Sequence, residues 1–366
     1  MKKLFIIPVV LLLGISMVAI TFGSPTEEKR PLLAKSEVNP QTVTLGVNLI
    51  FPATHFVAAH QLPRYFKMVE AATGGKYKLD IKYYPVGTLL PPGDAYDGMT
   101  QGIVDMVQSC FSYTPGRFPV MWALYKPGIA PPENCHAAAH AIWEYFNTLK
   151  PKELEDSKVL YLWAVGPGWL HTKKPITTVE AIKGSKIRST GAFVDAVKLL
   201  GAEPIAMPMG DVYIAAQKGL IDSLISPPET LETWKHHELF DYSVFLPTVY
   251  SHFQYLVMNL NKWKSLPKDL QDAFDAVAKD AVKEAGQIWQ YNNQKGIDFA
   301  KAQPGGHHFS YFPDSEVAKL LKIIRPIRDS YTIELNKRGL PGEQILKTAA
   351  TIMEKYNKQK FEPWKP

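Results

Sequence analysis

One arginine stands in a sequence context suited to holding an anion. Arg188 ends the short apolar step 186–188, which is typical of a buried strand, and residues 189–191 lead into the periodic run 192–200, which predicts a helix. A guanidinium at a strand end beside a helix N-terminus suits a carboxylate, because its planar donors match the two oxygens and the helix dipole adds favourable charge. We therefore expect Arg188 to bind an anionic group.

Two histidines offer an alternative chemistry. In a periplasmic enzyme that acts on organic acids, His171 or His252 could serve as a general base beside Arg188. No Gly-x-Ser-x-Gly elbow, phosphate loop or metal-ligand triad accompanies them in the sequence. The sequence therefore predicts no catalytic residue, and the enzyme stays the alternative function.

Other paired side chains carry weak signals. His136 and His140 share the spacing of a helical turn and could face a metal, and Glu229 and Glu232 lie on one predicted helix face. Solvated polar faces explain both pairs more simply. We therefore predict no metal site and no cofactor.

Length and composition limit the class of protein. A chain of 366 residues exceeds the usual size of one compact core, so two lobes are expected. The 41 basic and 35 acidic residues give a net charge of +6, and the basic residues are scattered, which excludes a nucleic-acid partner. In an oxidising compartment Cys110 and Cys135 allow one disulfide, and two buried thiols remain the equal alternative.

The N-terminus has the order of a secretory signal. Two lysines precede the apolar run 4–22, and the small residues Gly23 and Ser24 follow it. The run is long enough for an uncleaved anchor, but Pro8 and several polar or small residues dilute it. We predict a signal peptide at 1–23, cleavage near Gly23, and a monomeric periplasmic protein.

Strand and helix patterns alternate along most of the chain, which predicts an α/β fold with a largely parallel sheet in the first lobe. We expect the chain to enter a second lobe near 166–168 and a helix of about 30 residues from Pro267 to span both lobes. The predicted division assigns 40–164 with about 252–285 to lobe I, and 165–251 with about 286–357 to lobe II. A cleft between the lobes would enclose a small solute.

From about Thr42 to Tyr356 the chain resembles the solute-binding proteins of tripartite ATP-independent periplasmic (TRAP) transporters, of the C4-dicarboxylate-binding type. That resemblance implies a two-lobe periplasmic-binding-protein fold, capture of an organic acid without catalysis, and delivery to membrane permease subunits. It places the family's carboxylate-binding arginine on Arg188 and its cleft asparagine on Asn48. The matching segments are Thr73-Gly74-Gly75, Gly102 with Asp105, Lys174-Pro175-Ile176, Lys183-Gly184, Lys186-Ile187-Arg188, Leu200-Gly201-Ala202, Val212-Tyr213 and 217–222.

Two departures from the family pattern bear on the ligand. Gly168 replaces a second cleft arginine that many members carry, and Ile225-Ser226-Pro227 replaces a Glu-Asn-Pro step, which puts Ser226 in the expected site. A closed cleft with one cation fewer disfavours a dicarboxylate, because an unpaired buried carboxylate is heavily penalised. We expect a monocarboxylate with an apolar or aromatic body. The cleft positions implied by the resemblance carry Phe51, Phe111, Trp169, Phe193 and Met209.

The predicted function is therefore a TRAP-type receptor whose lobes close over one carboxylate. The sequence does not separate such a receptor from an extracellular sensor that presents its ligand to a receptor kinase.

Overall fold

The computed structural model describes residues 39–127, 129, 133–247 and 249–359. The predicted signal peptide at 1–23 lies outside the described residues. Within the described ranges no helix combines the length and the apolar character needed to cross a membrane.

The first sheet contains five strands in the order β2-β1-β3-β10-β4. Strands β1, β2 and β3 are parallel, whereas β10 runs antiparallel to both β3 and β4. The sheet is thus mixed rather than purely parallel, because β10 brings the chain back from the second sheet. Its strands are β1 (Gln41–Leu49), β2 (Tyr77–Tyr84), β3 (Met106–Cys110), β4 (Ser157–Pro167) and β10 (Ser251–Asn259).

The second sheet contains six short strands in the order β11-β9-β5-β8-β6-β7. Strand β6 is parallel to β7 and β8, β5 is antiparallel to β8 and β9, and β9 is parallel to β11. We call this sheet and the elements packed on it lobe II, and the first sheet with its helices lobe I. The strands are β5 (Trp169–Thr172), β6 (Lys186–Ser189), β7 (Glu203–Ala206), β8 (Ser223–Ser226), β9 (Tyr242–Phe245) and β11 (His308–Tyr311).

The helices cover the faces of both sheets, and α4 shows how local sequence sets their ends. The Asn134 side chain accepts hydrogen bonds from the backbone of His136 and Ala137 and so caps α4. Val57–Gln61 forms a π-helical turn that leads into α1. The helices are α1 (Leu62–Ala72), α2 (Ala95–Thr100), α3 (Pro119–Trp122), α4 (Cys135–Leu149), α5 (Val194–Leu199), α6 (Val212–Gln217), α7 (Thr230–Thr233), α8 (Leu260–Ser265), α9 (Lys268–Ala276), α10 (Ala278–Lys301), α11 (Asp314–Ile324), α12 (Pro326–Lys337) and α13 (Gly342–Asn357).

Two strand pairs carry the chain between the sheets. Strand β4 of lobe I continues into β5 of lobe II with only Gly168 between them, and β9 leads back to β10 through residues 246–250. A Cβ atom on Gly168 would lie 2.2 Å from the Cβ of Tyr250. Only glycine therefore allows the two crossing segments to pass this closely.

A third connection is the helix α10, which is shorter than predicted because the expected helix of about 30 residues divides at Val277 into α9 and α10. Gly286 lets α10 approach α4, since a Cβ there would lie 2.6 Å from the Cα of His136. Gly296 does the same beside lobe II, where a Cβ would lie 2.4 Å from the carbonyl oxygen of Pro228. One rigid helix thus contacts elements of both lobes.

The C-terminal helices correct part of the predicted lobe division. Helices α12 and α13 pack against lobe I, where the Tyr331 hydroxyl donates to the Pro119 carbonyl oxygen at 2.6 Å and the Tyr356 hydroxyl to Glu144 at 2.8 Å. The expected assignment of 286–357 to lobe II therefore fails for these two helices. The rest of the division stays a proposal.

Candidate ligand-binding site between the two sheets

Arg188 is a buried cation in the middle of the second sheet. Its backbone pairs with Ile205 on β7 and Leu224 on β8, and the residue is only 1% exposed. Both Nε and Nη2 donate to the Met207 carbonyl oxygen, at 3.1 and 2.8 Å. Among the described residues Nη1 has no hydrogen-bond partner, and no carboxylate oxygen lies within 4.0 Å of the guanidinium. The charge is therefore held in place but not neutralised.

Tyr113 of lobe I reaches across to this cation. It ends a helical turn after β3, and its hydroxyl oxygen accepts hydrogen bonds from the Met209 backbone at 3.0 Å and from Arg188 Nη2 at 3.4 Å. Burial raises the pKa of Tyr113, and the Arg188 charge only partly opposes that rise. The hydroxyl stays protonated at neutral pH and joins the lobes beside the cation.

Arg188 lines a small cavity of about 30 Å³, to which both sheets, the residues flanking α7 and helix α10 contribute. By volume the cavity holds about two water molecules. An organic ligand therefore needs the lobes to separate before it can enter. The lining residues are Ile50, Phe51, Tyr113, Val165, Arg188, Thr190, Met209, Pro227, Glu229, Trp234, Tyr250, His252, Gln254 and Trp289.

A larger groove of about 860 Å³ is open at the surface of α11, α12 and α13. It contains two cations, Arg325 and Arg328, but also the carboxylates of Asp329 and Glu343. We take the interlobe cavity as the candidate site, because a buried cation without a carboxylate partner is far more costly than an exposed one.

Arg188, Phe51 and Met209 are the predicted site residues that line the cavity. Asn48 does not, because its amide holds the backbone of Leu90, donating to the carbonyl oxygen and accepting from the N–H, each at 3.2 Å. The hydroxyl of Ser226 is hydrogen-bonded to that of Thr230 at 2.8 Å. Neither residue is among the described lining residues, and their roles in binding stay predictions.

The three other predicted aromatic residues pack elsewhere. Phe111 lies edge-on to Phe118 in the core of lobe I, with ring centroids 5.1 Å apart. Trp169 packs against Phe245 at 5.3 Å, away from the cavity lining. Phe193 stacks at 4.7 Å on Tyr250, which does line the cavity, so Phe193 supports the wall from behind. A resemblance assigns positions but not the direction of each side chain, so a role for these three residues in binding stays a prediction.

His252, named above as a candidate base, lies in the cavity wall. Its Nε2 is hydrogen-bonded to the Ser112 hydroxyl at 2.8 Å, and its ring stacks on Tyr250. Burial and then the Arg188 charge lower the pKa of His252 to about 3. The imidazole is therefore neutral at physiological pH and adds no second positive charge.

Glu229 is a buried carboxylate in the same cavity, only 2% exposed, which contradicts the expected solvated face. Its Oε2 lies 3.4 Å from Nε2 of His55 and accepts a hydrogen bond from the Thr233 hydroxyl. The Asn293 side chain on α10 accepts from the Glu229 backbone at 3.3 Å and donates to the Val165 carbonyl oxygen at 2.8 Å. The helix that connects the lobes thus positions this carboxylate.

Aromatic rings surround the Glu229 end of the cavity. Phe51 stacks on His55 with centroids 4.0 Å apart, and Phe51 also lies 6.5 Å from Trp234 and 6.1 Å from Trp289. Neither tryptophan was among the predicted site residues, and Glu229 was expected on a solvated face. The signal for them was weak, because they come from α7 and α10, which only the fold brings beside residues 50–55.

A buried, uncompensated cation in a cavity between two sheets, with strand crossings and a helix joining the lobes, defines a two-lobe solute-binding protein. The profile of the bacterial extracellular solute-binding protein family 7 matches residues 54–334, which is more than half of the chain. The chain belongs to this family, and the predicted family is confirmed.

Relatives and solved structures agree with this assignment. The 2,3-diketo-L-gulonate-binding periplasmic protein of Escherichia coli (strain K12) is 28% identical over 274 residues, which cover 73% of this chain and 80% of the relative. A TRAP solute-binding protein from Rhodoferax ferrireducens T118, solved with copurified benzoate, has a TM-score of 0.80 and 28% identity and covers 86% of this chain and 99% of its own.

A marine metagenome TRAP solute-binding protein described as specific for aromatic acid ligands was solved with metahydroxyphenylacetate. It also has a TM-score of 0.80 and 28% identity, over 86% of this chain and all of its own. The described fold is therefore that of a TRAP solute-binding protein.

Proposed function

We propose that this receptor captures a monocarboxylate with an aromatic body and pairs its carboxylate with Arg188 as the lobes close. The observation that carries the proposal is the state of Arg188, which is 1% exposed, fixed by Met207 and without a carboxylate partner among the described residues. An acid group at Nη1 would supply the missing counter-charge through a charge-assisted hydrogen bond.

The single cation in the cavity lining can neutralise a single ligand carboxylate. Arg188 is the only lysine or arginine among the described lining residues, and His252 is neutral because its pKa lies near 3. Glu229 would repel a second ligand carboxylate at its end of the cavity. These charges favour a monocarboxylate over a dicarboxylate.

The walls favour an aromatic body. Phe51, Trp234 and Trp289 contribute rings on one side, and Met209 and Tyr250 contribute apolar surface on the other walls. Flat rings pack well in such a cavity in offset or edge-on contacts. The two similar structures described above hold benzoate and metahydroxyphenylacetate, which are acids of this class.

Closure would couple binding to a change of shape. The cavity of about 30 Å³ cannot take up a ring acid without opening, and Tyr113 joins the lobes beside Arg188. A ligand shifts the open and closed populations only by its difference in affinity for the two states. Contacts from Arg188 and from lobe I to the same ligand would provide that difference.

The enzyme alternative has less support. His252 is a poor general base because burial holds its pKa near 3, and its Nε2 is engaged by Ser112. His171 does not line the cavity and is bonded to Ser243 at 2.7 Å. We propose a periplasmic, monomeric receptor that is exported through a cleaved signal, passes its ligand to TRAP permease subunits and performs no turnover.

Calorimetry on the purified mature protein tests this function. We expect benzoate, phenylacetate or indole-3-acetate to bind, with succinate and malate binding at least about tenfold more weakly because a second carboxylate would face Glu229. Mass analysis of the ligand should recover the unchanged acid. Tight binding of the dicarboxylates with no response to any ring acid would contradict the proposal.

A further inference from the structure

The cavity carries a second buried charge that the capture of a carboxylate does not use. Glu229 is as deeply buried as Arg188, but its charge has the opposite sign. No ion pair joins the two side chains within 4.0 Å. Tyr250 also lines the cavity; burial raises its pKa, the Arg188 charge lowers it and the Glu229 charge raises it. The closed site therefore has one positive and one negative pole.

The contacts of Glu229 leave one of its oxygens available. Oε2 takes both described interactions, the hydrogen bond from Thr233 and the 3.4 Å approach of His55. Among the described residues Oε1 accepts no hydrogen bond. A ligand donor that reaches this oxygen would form a charge-assisted hydrogen bond with it.

The two poles have complementary free atoms. Nη1 of Arg188 can donate to a ligand acceptor, and Oε1 of Glu229 can accept from a ligand donor. The rings of Phe51 and Trp289 in the lining would hold an apolar body between them. A ligand that fits has a carboxylate, a flat ring and a hydrogen-bond donor at its far end.

We propose that Glu229 is a specificity-determining residue that selects ring acids carrying a hydrogen-bond donor away from the carboxylate. A ring acid without the donor places apolar carbon or hydrogen against Oε1 and loses affinity. This inference rests on the proposed function and names the class of its ligand more closely. His55 approaches only Oε2, at 3.4 Å, so it does not compete with a ligand donor for Oε1.

The test compares matched ligands on matched variants. Benzoate, 3-hydroxybenzoate and 4-hydroxybenzoate differ only in the donor, and 3-(aminomethyl)benzoate offers a cationic donor in place of a neutral hydroxyl. Glu229→Met removes both acceptor oxygens at similar volume, and Glu229→Gln keeps the shape without the charge. Glu232→Gln is the control, since Glu232 lies one helical turn away and pairs with Lys295 outside the cavity.

Calorimetry should show that the wild-type protein binds one hydroxybenzoate isomer or the aminomethyl compound at least about tenfold more tightly than benzoate. In Glu229→Met this ratio should fall to within about twofold, whereas Glu232→Gln should keep it. Preference for the aminomethyl compound that Glu229→Gln abolishes would identify a cationic donor, and preference for a hydroxybenzoate would identify a neutral one. Either result supports the inference.

Other outcomes would overturn the inference that Glu229 selects the ligand. A wild-type ratio near one, or a ratio that survives in Glu229→Met, would show that Glu229 does not read the ligand. If Glu229→Met does not fold by its melting curve, Glu229→Leu, which also lacks both acceptor oxygens, decides, and an unchanged ratio there overturns the inference. Absence of binding by every ring acid would instead contradict the proposed function itself, and with it this inference.

Discussion

The two ends of the cavity hold opposite charges by different means. Arg188 lies within a strand whose neighbours on both sides fix its backbone, and the carbonyl oxygen of Met207, one residue beyond β7, fixes its guanidinium. Glu229 lies before the one-turn helix α7, and its position depends on Asn293 of α10 and on His55 of lobe I. The cation is thus held by one sheet, whereas the carboxylate accepts from Thr233 of its own helix and is approached by His55 from the other lobe.

The two ends of the cavity should therefore respond differently when the lobes separate. The cation end should keep its geometry when the lobes separate, because its supports lie within lobe II apart from Tyr113. The carboxylate end should be assembled only when the lobes approach each other. Recognition of the acid group would then precede recognition of the far end of the ligand.

Lowering the pH should produce the largest change in the stability of the folded protein. Burial lowers the pKa of His171 and of His252 to about 3, so both are neutral when folded. Because their folded pKa values lie below the unfolded value near 6.5, the unfolded chain binds more protons in acid. Stability is therefore present above pH 6.5 and is lost as the pH falls from 6.5 toward 3. Melting curves between pH 8 and pH 4 measure this.

Ligand affinity measured over the same pH range tests the cation end of the cavity. Affinity for a ring acid at the cation end should change little between pH 8 and pH 6.5, since Arg188 stays charged and His252 stays neutral. A melting temperature that is flat down to pH 4 would contradict the assignment of buried neutral histidines.

Gly168→Ala should cause the next largest loss of stability. The added Cβ would meet the Cβ of Tyr250 at 2.2 Å, where neither atom can move without its backbone. We expect a loss of about 1–3 kcal/mol in the free energy of unfolding, measured by urea titration. Gly184→Ala is a control for the loss of a glycine, because no atom lies within 4 Å of its Cβ position, although its positive φ adds some strain of its own. A smaller loss at Gly168 than at Gly184 would contradict the close crossing.

Tyr113→Phe should have the smallest effect. The substitution removes the hydroxyl that accepts from Met209 and Arg188 but keeps the ring. Losing this link between the lobes should weaken ligand affinity by about two- to tenfold, as expected for one or two hydrogen bonds. Thermal stability without ligand should fall only slightly. Calorimetry that finds unchanged affinity would show that the link does not favour the closed state.

Much of the fold could be predicted from the sequence, because long periodic segments report burial directly. The alternation of strand and helix patterns predicted the α/β fold, and the apolar step 186–188 predicted the strand that carries the buried Arg188. Strands β5, β9 and β11 have four residues each, too few to show a period of two, and no neighbouring motif marks them as the segment around Arg188 marks β6.

The site was harder to predict than the fold. Phe111 and Trp169 are aromatic residues that pack into protein, and the sequence could not distinguish them from Phe51, which lines the cavity. Gly168 appeared as a lost arginine, and the structure shows that Tyr250 occupies the space of its side chain. The direction in which each side chain packs depends on contacts between segments that are distant in the sequence. A local sequence pattern does not report such contacts.

The sequence also could not decide whether the two cysteines form a disulfide. The sequence left a disulfide between Cys110 and Cys135 open, and the structure contains them as separate buried thiols. Burial raises the pKa of each to about 12, so both are unreactive at neutral pH.

The central claim is that Arg188 binds the carboxylate of the ligand. Calorimetry should compare a ring acid with its primary amide, on the wild-type protein and on Arg188→Ala. The account predicts that the wild-type protein prefers the acid, that Arg188→Ala binds the acid at least about tenfold more weakly, and that the preference for acid over amide largely disappears. Equal affinity of the variant and the wild-type protein for the acid, with both folded, would contradict the account.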